Sequence, residues 1–200
     1  MLKTFHSKYN GKLELRQVQG KKVLDTRHTN FGYDSLDVLW KEIFQRFKIP
    51  PFKQSLILGV GAGNVIQRLR DVHDDGRIYA IDIDPIIIRI ALKEFGLAKT
   101  ADLEIQCTDA DQYIRKTRRA FDFIVIDLFC DHTMPEFLND LTFWRCAFNR
   151  IQPDGAILWN TNHTADDIKQ IKRMARNMKM RVDVLKSKNN WNTVYRFRKL

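Results

Sequence analysis

From Ser55 onward the chain alternates short apolar runs with amphipathic stretches, and this rhythm constrains the fold more than any other feature. The runs read "SLILGV", "RIYAIDI", "LEIQCT", "FDFIVIDL" and "AILWNT", and between them lie helix patterns at 65–72, 85–95, 111–118 and 135–151. Strands that are apolar almost throughout have no face to offer to water, so helices must cover both sides of a parallel sheet. The end of the chain departs from the rhythm. At 166–180, Ile168, Ile171, Ala175 and Met178 recur at helical spacing, with Lys169, Lys172, Arg173, Arg176 and Lys179 largely between them. That is an amphipathic helix with a basic outer face. After it, "MRVDVLKS" and "NTVYRFRK" are separated only by the polar turn "KNNWN". No crossover helix fits in that turn, so the two runs should pair antiparallel.

Ahead of this unit, "GKLELRQVQGKKVLDT" alternates apolar and polar residues on both sides of Gly20, the pattern of a two-stranded hairpin. A helix is expected at 35–47, where Leu36, Leu39, Trp40, Ile43 and Phe44 share one face. Pro50 and Pro51 cannot continue it, which places a boundary in "KIPPFKQ". The expected division is a hairpin-and-helix appendage at 1–54 and a nucleotide-fold unit at 55–200. Five parallel strands followed by an antiparallel hairpin is the chain order of the class I S-adenosylmethionine-dependent transferases. The fold class expected is therefore α/β: a doubly wound, Rossmann-like, mostly parallel seven-stranded sheet with a small N-terminal β-hairpin.

Composition excludes several alternatives. No run approaches the roughly 18 to 20 unbroken apolar residues of a membrane span, and "MLKTFHSKYN" lacks the apolar core of a secretory signal. Cys107, Cys130 and Cys146 are odd in number and scattered, without the spacing of a zinc site. A cytoplasmic protein without a metal is expected. The net charge of +10 is unevenly spread: residues 1–55 carry 11 Lys and Arg against 5 Asp and Glu, residues 56–165 carry 12 against 16, and residues 166–200 carry 11 against 3. The basic ends read as solvated faces or as attractors of nucleic acid, while the acidic middle holds the motifs that bear chemistry.

The first of these is "LILGVGAGN", with Gly59, Gly61 and Gly63 at alternate positions after a strand. Glycines there let the backbone turn sharply and approach a ligand, at the end of the sheet where doubly wound folds bind nucleotides. A dinucleotide fingerprint needs a small third residue inside the helix. Counting from Gly59 or Gly61 that position is Asn64 or Ile66, so a nucleoside without a pyrophosphate suits the loop better. Asp82 lies near the end of the second strand, where a carboxylate can accept both ribose hydroxyls. Asp84 precedes Pro85 and reads as a helix N-cap. Asp109 and Ala110 end the third strand, where they can hold an adenine edge, with a helix cap as a compatible role for Asp109. Asp127 ends the fourth strand after "FIVI", and an acid there should face a cleft to escape the cost of burial.

Together "LILGVGAGNVIQRLR", "IYAIDIDPIIIRIALKEF", "CTDADQYI" and "FDFIVIDLF" resemble the spermidine synthase-like branch of the class I methyltransferase superfamily, over about residues 10–160. The resemblance implies S-adenosylmethionine or its decarboxylated form as cosubstrate. Gly59, Gly61 and Gly63 would line it, Asp82 would bind its ribose, Asp109 and Ala110 its adenine, and Asp127 the amino end of its sulfonium-bearing chain. True aminopropyltransferases carry Asp-x-x-Asp-Pro after the fourth strand, the second acid helping to deprotonate and orient the attacking amine. This chain instead has Asp127-Leu128-Phe129-Cys130-Asp131-His132, one residue longer and without the proline. The family also tends to offer a glutamine after the hairpin, where this chain has only Asn30 as an amide.

Those departures favour a methyltransferase acting on an unidentified small-molecule acceptor, with Asp127, Asp131 and His132 as candidate catalytic residues and His163 as a further candidate base. Two alternatives stand beside it. One is a polyamine aminopropyltransferase that uses decarboxylated S-adenosylmethionine. The other is a non-catalytic nucleoside- or nucleic-acid-binding module, in which Trp191, Tyr195 and Phe197 would stack bases rather than pack on the core. The hairpin could also serve a homodimer.

Overall fold

The structure, a computed structural model, describes residues 2–26, 35–131, 133–162, 165–186 and 192–200. His132, His163, Asn30, Trp191 and the turn before the last strand lie outside the described residues. The chain opens with three antiparallel strands, β1 (Lys3–Ser7), β2 (Gly11–Val18) and β3 (Lys21–Asp25), in the order β1-β2-β3. The expected hairpin is β2 and β3, and β1 is a third strand that periodicity alone did not mark. Leu13, Leu15 and Leu24 bury one face of this small sheet against Ile87 and Ile90.

Helix α1 (Ser35–Phe47) precedes the main unit, which then alternates strand and helix. Its strands and helices are β4 (Gln54–Leu58), α2 (Asn64–Val72), β5 (Arg77–Asp82), α3 (Pro85–Glu94), β6 (Leu103–Cys107), α4 (Ala110–Lys116), β7 (Phe121–Ile126), α5 (Leu141–Asn149), β8 (Ile151–Thr161), α6 (Ala165–Asn177), β9 (Met180–Lys186) and β10 (Thr193–Lys199). The seven strands form one sheet in the order β6-β5-β4-β7-β8-β10-β9. The first five are mutually parallel, and β10 runs antiparallel to both its neighbours. The fold is the α/β, doubly wound, mostly parallel seven-stranded sheet expected from the sequence.

Two apolar layers sandwich the sheet. On one side Trp144, Phe143, Phe148, Trp159 and Phe197 form an aromatic cluster, joined by Ile171, Met174 and Ala175 of α6. Trp144 and Trp159 meet edge to face with centroids 4.9 Å apart, a geometry that adds electrostatic attraction to area burial. Tyr195 and Phe197 belong to this core. The other side holds Leu39, Trp40, Ile43 and Phe44 of α1 with Val65, Ile66 and Leu69 of α2. The helix expected at 135–151 is interrupted. A short 3-10 turn at Glu136–Asn139 ends at Asp140, whose carboxylate caps α5 by accepting from the Thr142 amide at 2.8 Å. A capping acid within an apolar pattern restarts the helix.

The chain leaves β4 toward β5 and β6, then returns to β7 on the other side of β4. The carboxyl ends of β4 and β7 therefore flank the point where the strand order reverses, where open α/β sheets bind ligands.

Candidate active site

At that point lies a cavity of about 580 Å³, lined among others by Gly59, Gly61, Asp82, Asp109, Ala110, Asp127 and Asp131. The glycine loop passes over the end of β7. A Cβ on Gly59, whose φ is 97°, would sit 2.1 Å from the carbonyl oxygen of Asp127, so no other residue can hold the two strand ends this close. Gly63 has a different task. It caps α2 at φ 91° and lies against Leu97, whose side chain a Cβ would meet at 2.8 Å, and it is not among the cavity-lining residues. Of the three glycines expected to line a cosubstrate, the structure brings Gly59 and Gly61 to the cavity and turns Gly63 to packing.

Asp82 and Asp84 divide their work by two residues of spacing. The Asp82 carboxylate accepts from the backbone amides of Val60 at 2.9 Å and Gly61 at 3.5 Å through Oδ2, and from the Asp84 amide at 2.9 Å through Oδ1. It is the post around which the glycine loop is wound. Burial pushes its carboxyl upward from the ordinary value, against the downward pull of those amides. Asp84 is buried and caps α3, accepting from Ile86 at 2.9 Å and Ile87 at 3.4 Å. Its second oxygen accepts from the Ser7 hydroxyl and, at 2.8 Å, from Asn10 Nδ2, which ties the turn between β1 and β2 to the sheet. Asp109 caps α4 by accepting from the Gln112 amide at 2.8 Å while still facing the cavity beside Ala110. The expected helix cap is present, and the residue lines the cavity as well.

Asp127 is clamped. Its main chain continues the β4 ladder, donating to the Leu58 carbonyl at 2.8 Å. Trp40 Nε1 donates to Oδ2 at 3.0 Å, and Asn160 Nδ2 donates to Oδ1 at 2.8 Å. Asn160 is fully buried, and its own oxygen accepts from Asn192 at 3.0 Å. Burial moves the Asp127 carboxyl upward, opposed by the bonds from Asn160 and Trp40. Both oxygens are pinned while the group still faces the cavity, so whatever enters meets a carboxyl held in one orientation.

Asp131 stands in a tight turn. Cys130 and Thr133 pair by reciprocal backbone bonds of 2.8 and 3.1 Å, and Asp131 stands in the turn at φ 55°. Its amide donates to Asn10 Oδ1 at 3.2 Å, and its carboxylate accepts from the Thr26 hydroxyl. One asparagine from the N-terminal sheet therefore holds both Asp84 and the Asp131 turn.

Trp40, Asn160, Asn192, Tyr9 and Asn10 were not singled out by sequence. Asn160 carried a usable signal: it is a polar residue at the end of the apolar run "AILWNT", as Asp127 is at the end of "FIVI". Trp40 is legible as core, and the partner its indole N–H needs when buried is the Asp127 carboxylate. Asn64, at the first position of α2, also lines the cavity, and its Nδ2 is buried without a partner among the described residues.

The charge of the cavity is one-sided. Asp82, Asp109, Asp127 and Asp131 line it, and no lysine or arginine does so among the described residues. In a chain of net charge +10, such a pocket selects cations.

Residues 44–188 match the family model described as the spermine/spermidine synthase domain, and the chain belongs to that family. It is 26% identical over 119 residues to a polyamine aminopropyltransferase of Vibrio vulnificus, covering 58% of this chain and 40% of that protein. It is also 26% identical over 121 residues to polyamine aminopropyltransferase 2 of Aquifex aeolicus, covering 56% and 24%. The match therefore spans well under half the length of these curated relatives. Among solved structures, a probable spermidine synthase from Corynebacterium glutamicum superposes with a TM-score of 0.80 over all of this chain and 80% of that one, at 14% identity, which shows the shared fold. The family and these relatives overturn the methyltransferase expectation. That expectation rested on the longer, proline-free Asp127–Asp131 spacing and on the missing glutamine after the hairpin; Asp131 lines the cavity despite that spacing.

Proposed function

We propose that the chain is a polyamine aminopropyltransferase, moving the aminopropyl group of decarboxylated S-adenosylmethionine to a diamine or polyamine. The observation that carries this reading is the cavity lined by four carboxyls and, among the described residues, by no basic side chain. The decarboxylated donor bears a sulfonium and an ammonium, and its acceptor is also a cation. The carboxylated donor would instead set an anion near Asp127, with no basic group beside it. Two unit charges of like sign about 4 Å apart repel by roughly 4 kcal/mol at the effective dielectric of a partly wetted site. That is a discrimination of up to about a thousandfold.

Asp82 takes one ribose hydroxyl in this reading, at the acceptor site its backbone partners leave open. Its carboxylate offers roughly four lone-pair sites, and three backbone amides use three of them. Asp109 and Ala110 flank the adenine, and Gly59 and Gly61 let the donor chain pass close to the backbone. Asp127 holds the ammonium of the aminopropyl arm, and Asp131 faces the acceptor. The acceptor nitrogen attacks the methylene carbon beside sulfur. The new C–N bond forms as the C–S bond breaks, sulfur keeps the electron pair and leaves as neutral methylthioadenosine, and the proton lost from nitrogen passes to Asp131 or water. Alignment supplies much of such a rate, which fits an acid whose two oxygens are pinned.

Incubation of the protein with decarboxylated S-adenosylmethionine and putrescine tests the proposal. Mass spectrometry should find methylthioadenosine and an acceptor lengthened by one aminopropyl unit. Methylthioadenosine without a lengthened acceptor, or no turnover with any diamine or polyamine, would overturn it.

A further inference from the structure

Helix α6 carries a feature the cavity does not use. Ile171, Met174 and Ala175 are buried in the aromatic core, and on the opposite side Lys169, Lys172, Arg173 and Arg176 fall at i, i+3, i+4 and i+7, which is one face of a helix. Lys179 follows in the turn after the helix at φ 53°. Lys169, Arg173, Arg176 and Lys179 are exposed and Lys172 is half-exposed. Neighbouring strands do not neutralise Lys172, Arg173, Arg176 or Lys179. Asp183 on β9 is shared among Arg181 at 3.4 Å, Arg196 at 2.7 Å and Arg198 at 2.8 Å. Lys172, Arg173, Arg176 and Lys179 make no ion pair with any described residue. Like charges at helical spacing repel one another by a few tenths of a kcal/mol per pair; the helix dipole accounts for Arg176 in the last turn but not for Lys172 and Arg173.

We infer that this face of α6 is a docking surface for single-stranded nucleic acid, held through its phosphates. At a rise of 1.5 Å per residue, Lys169 to Lys179 spans about 15 Å, long enough to follow two or three consecutive phosphates along a strand. A membrane surface fits less well, because the apolar side of α6 is consumed by the core and offers nothing to insert. Because β8 and β9 both run antiparallel to β10, α6 crosses back along the sheet between them. Arg176 and Lys179 therefore lie toward the end of the sheet remote from the cavity. A strand bound there leaves the acidic pocket open, and the two surfaces sort ligands by opposite charge.

Fluorescence anisotropy of the full chain with a labelled oligouridylate of about 20 nucleotides tests the inference. Two or three phosphate contacts on a single strand give a slope of log affinity against log salt of roughly −1.4 to −2. The triple variant K172E/R173E/R176E should lose at least about tenfold in affinity at roughly 100 mM salt, with its melting temperature and its affinity for decarboxylated S-adenosylmethionine unchanged. A control, K41E/K48E/R145E, reverses the same number of exposed charges elsewhere and should lose less than about threefold. Equal losses in both variants would make net charge the cause and overturn the docking surface. Absence of salt-dependent binding, or capture by phosphatidylserine vesicles without capture of the oligonucleotide, would overturn it as well.

Discussion

The substitution Asn160→Leu isolates one side of the Asp127 clamp. Leucine is close in size, fills the buried position and removes the 2.8 Å bond to Oδ1, leaving Trp40 as the remaining donor at 3.0 Å. A hydrogen bond to a charged group contributes roughly 1.5 to 3 kcal/mol, and one pKa unit corresponds to about 1.4 kcal/mol. Loss of the bond should therefore raise further an Asp127 carboxyl that burial has already raised, because the ionised form loses a donor. Holding a cationic arm requires the ionised form. The acid limb of kcat/KM for aminopropyl transfer should then move upward, with a smaller loss on the alkaline plateau. Asn160→Asp should fail more severely, because it sets a second carboxylate against the first. An Asn160→Leu enzyme whose acid limb stays in place while its plateau falls would mean that Asn160 acts through packing alone, and the clamp account would be refuted.

Four other outcomes follow from the geometry. Gly59→Ala combines a positive φ with a Cβ driven into the Asp127 carbonyl and should cost about 3 kcal/mol or more in urea denaturation, since strain and overpacking each contribute roughly 1 to 3 kcal/mol. Trp144→Ala should lose about 3 to 5 kcal/mol of stability, because this ring meets Phe143, Phe148, Trp159 and Phe197. Asp82→Ala should weaken donor binding by about 1 to 3 kcal/mol in calorimetry, through a loosened glycine loop as well as a lost ribose contact. The free protein should be most stable in mildly acidic solution. The raised carboxyls of Asp82 and Asp127 contribute stability that is full below their ordinary value of 3.8 and is lost as pH climbs through their folded values. The lowered carboxyls of Glu94, paired with Lys3 and Lys22, and of Asp140, bonded to Thr142 and Arg115, lose their contribution as pH falls through their folded values. Thermal melts from about pH 3 to about pH 9 check this order, and a saturating cationic ligand should flatten the alkaline decline.

The architecture was legible because it is written in local periodicity. Strands such as Phe121–Ile126 are buried along nearly their whole length, and helix α1 begins and ends where its apolar face does. What escaped was set by contacts between distant residues. Strand β1 is only five residues long, and its expected pattern is blurred by His6 and Lys3. The break at Asp140 lay hidden inside an apolar pattern whose period runs through it. In the cavity, the acids at strand ends were readable, because a carboxylate after an apolar run must face water or a partner. Their partners were not. The bond between Asn10 and the Asp131 amide joins positions 121 residues apart, and nothing near Asn10 announces it. The same holds for the acid spacing. Counted along the sequence, one extra residue argued against aminopropyl transfer, whereas in the structure Asp131 stands in a turn that lines the cavity.

Selection of a decarboxylated donor by an acid-lined cavity is the central claim, and calorimetric titration tests it most directly. The protein should be titrated separately with decarboxylated S-adenosylmethionine and with S-adenosylmethionine at one pH and salt concentration. The decarboxylated donor is expected to bind at least about a hundredfold more tightly, a difference of roughly 2.7 kcal/mol, and Asp127→Ala should erase most of that preference. Equal affinities, or tighter binding of the carboxylated form, would contradict the account.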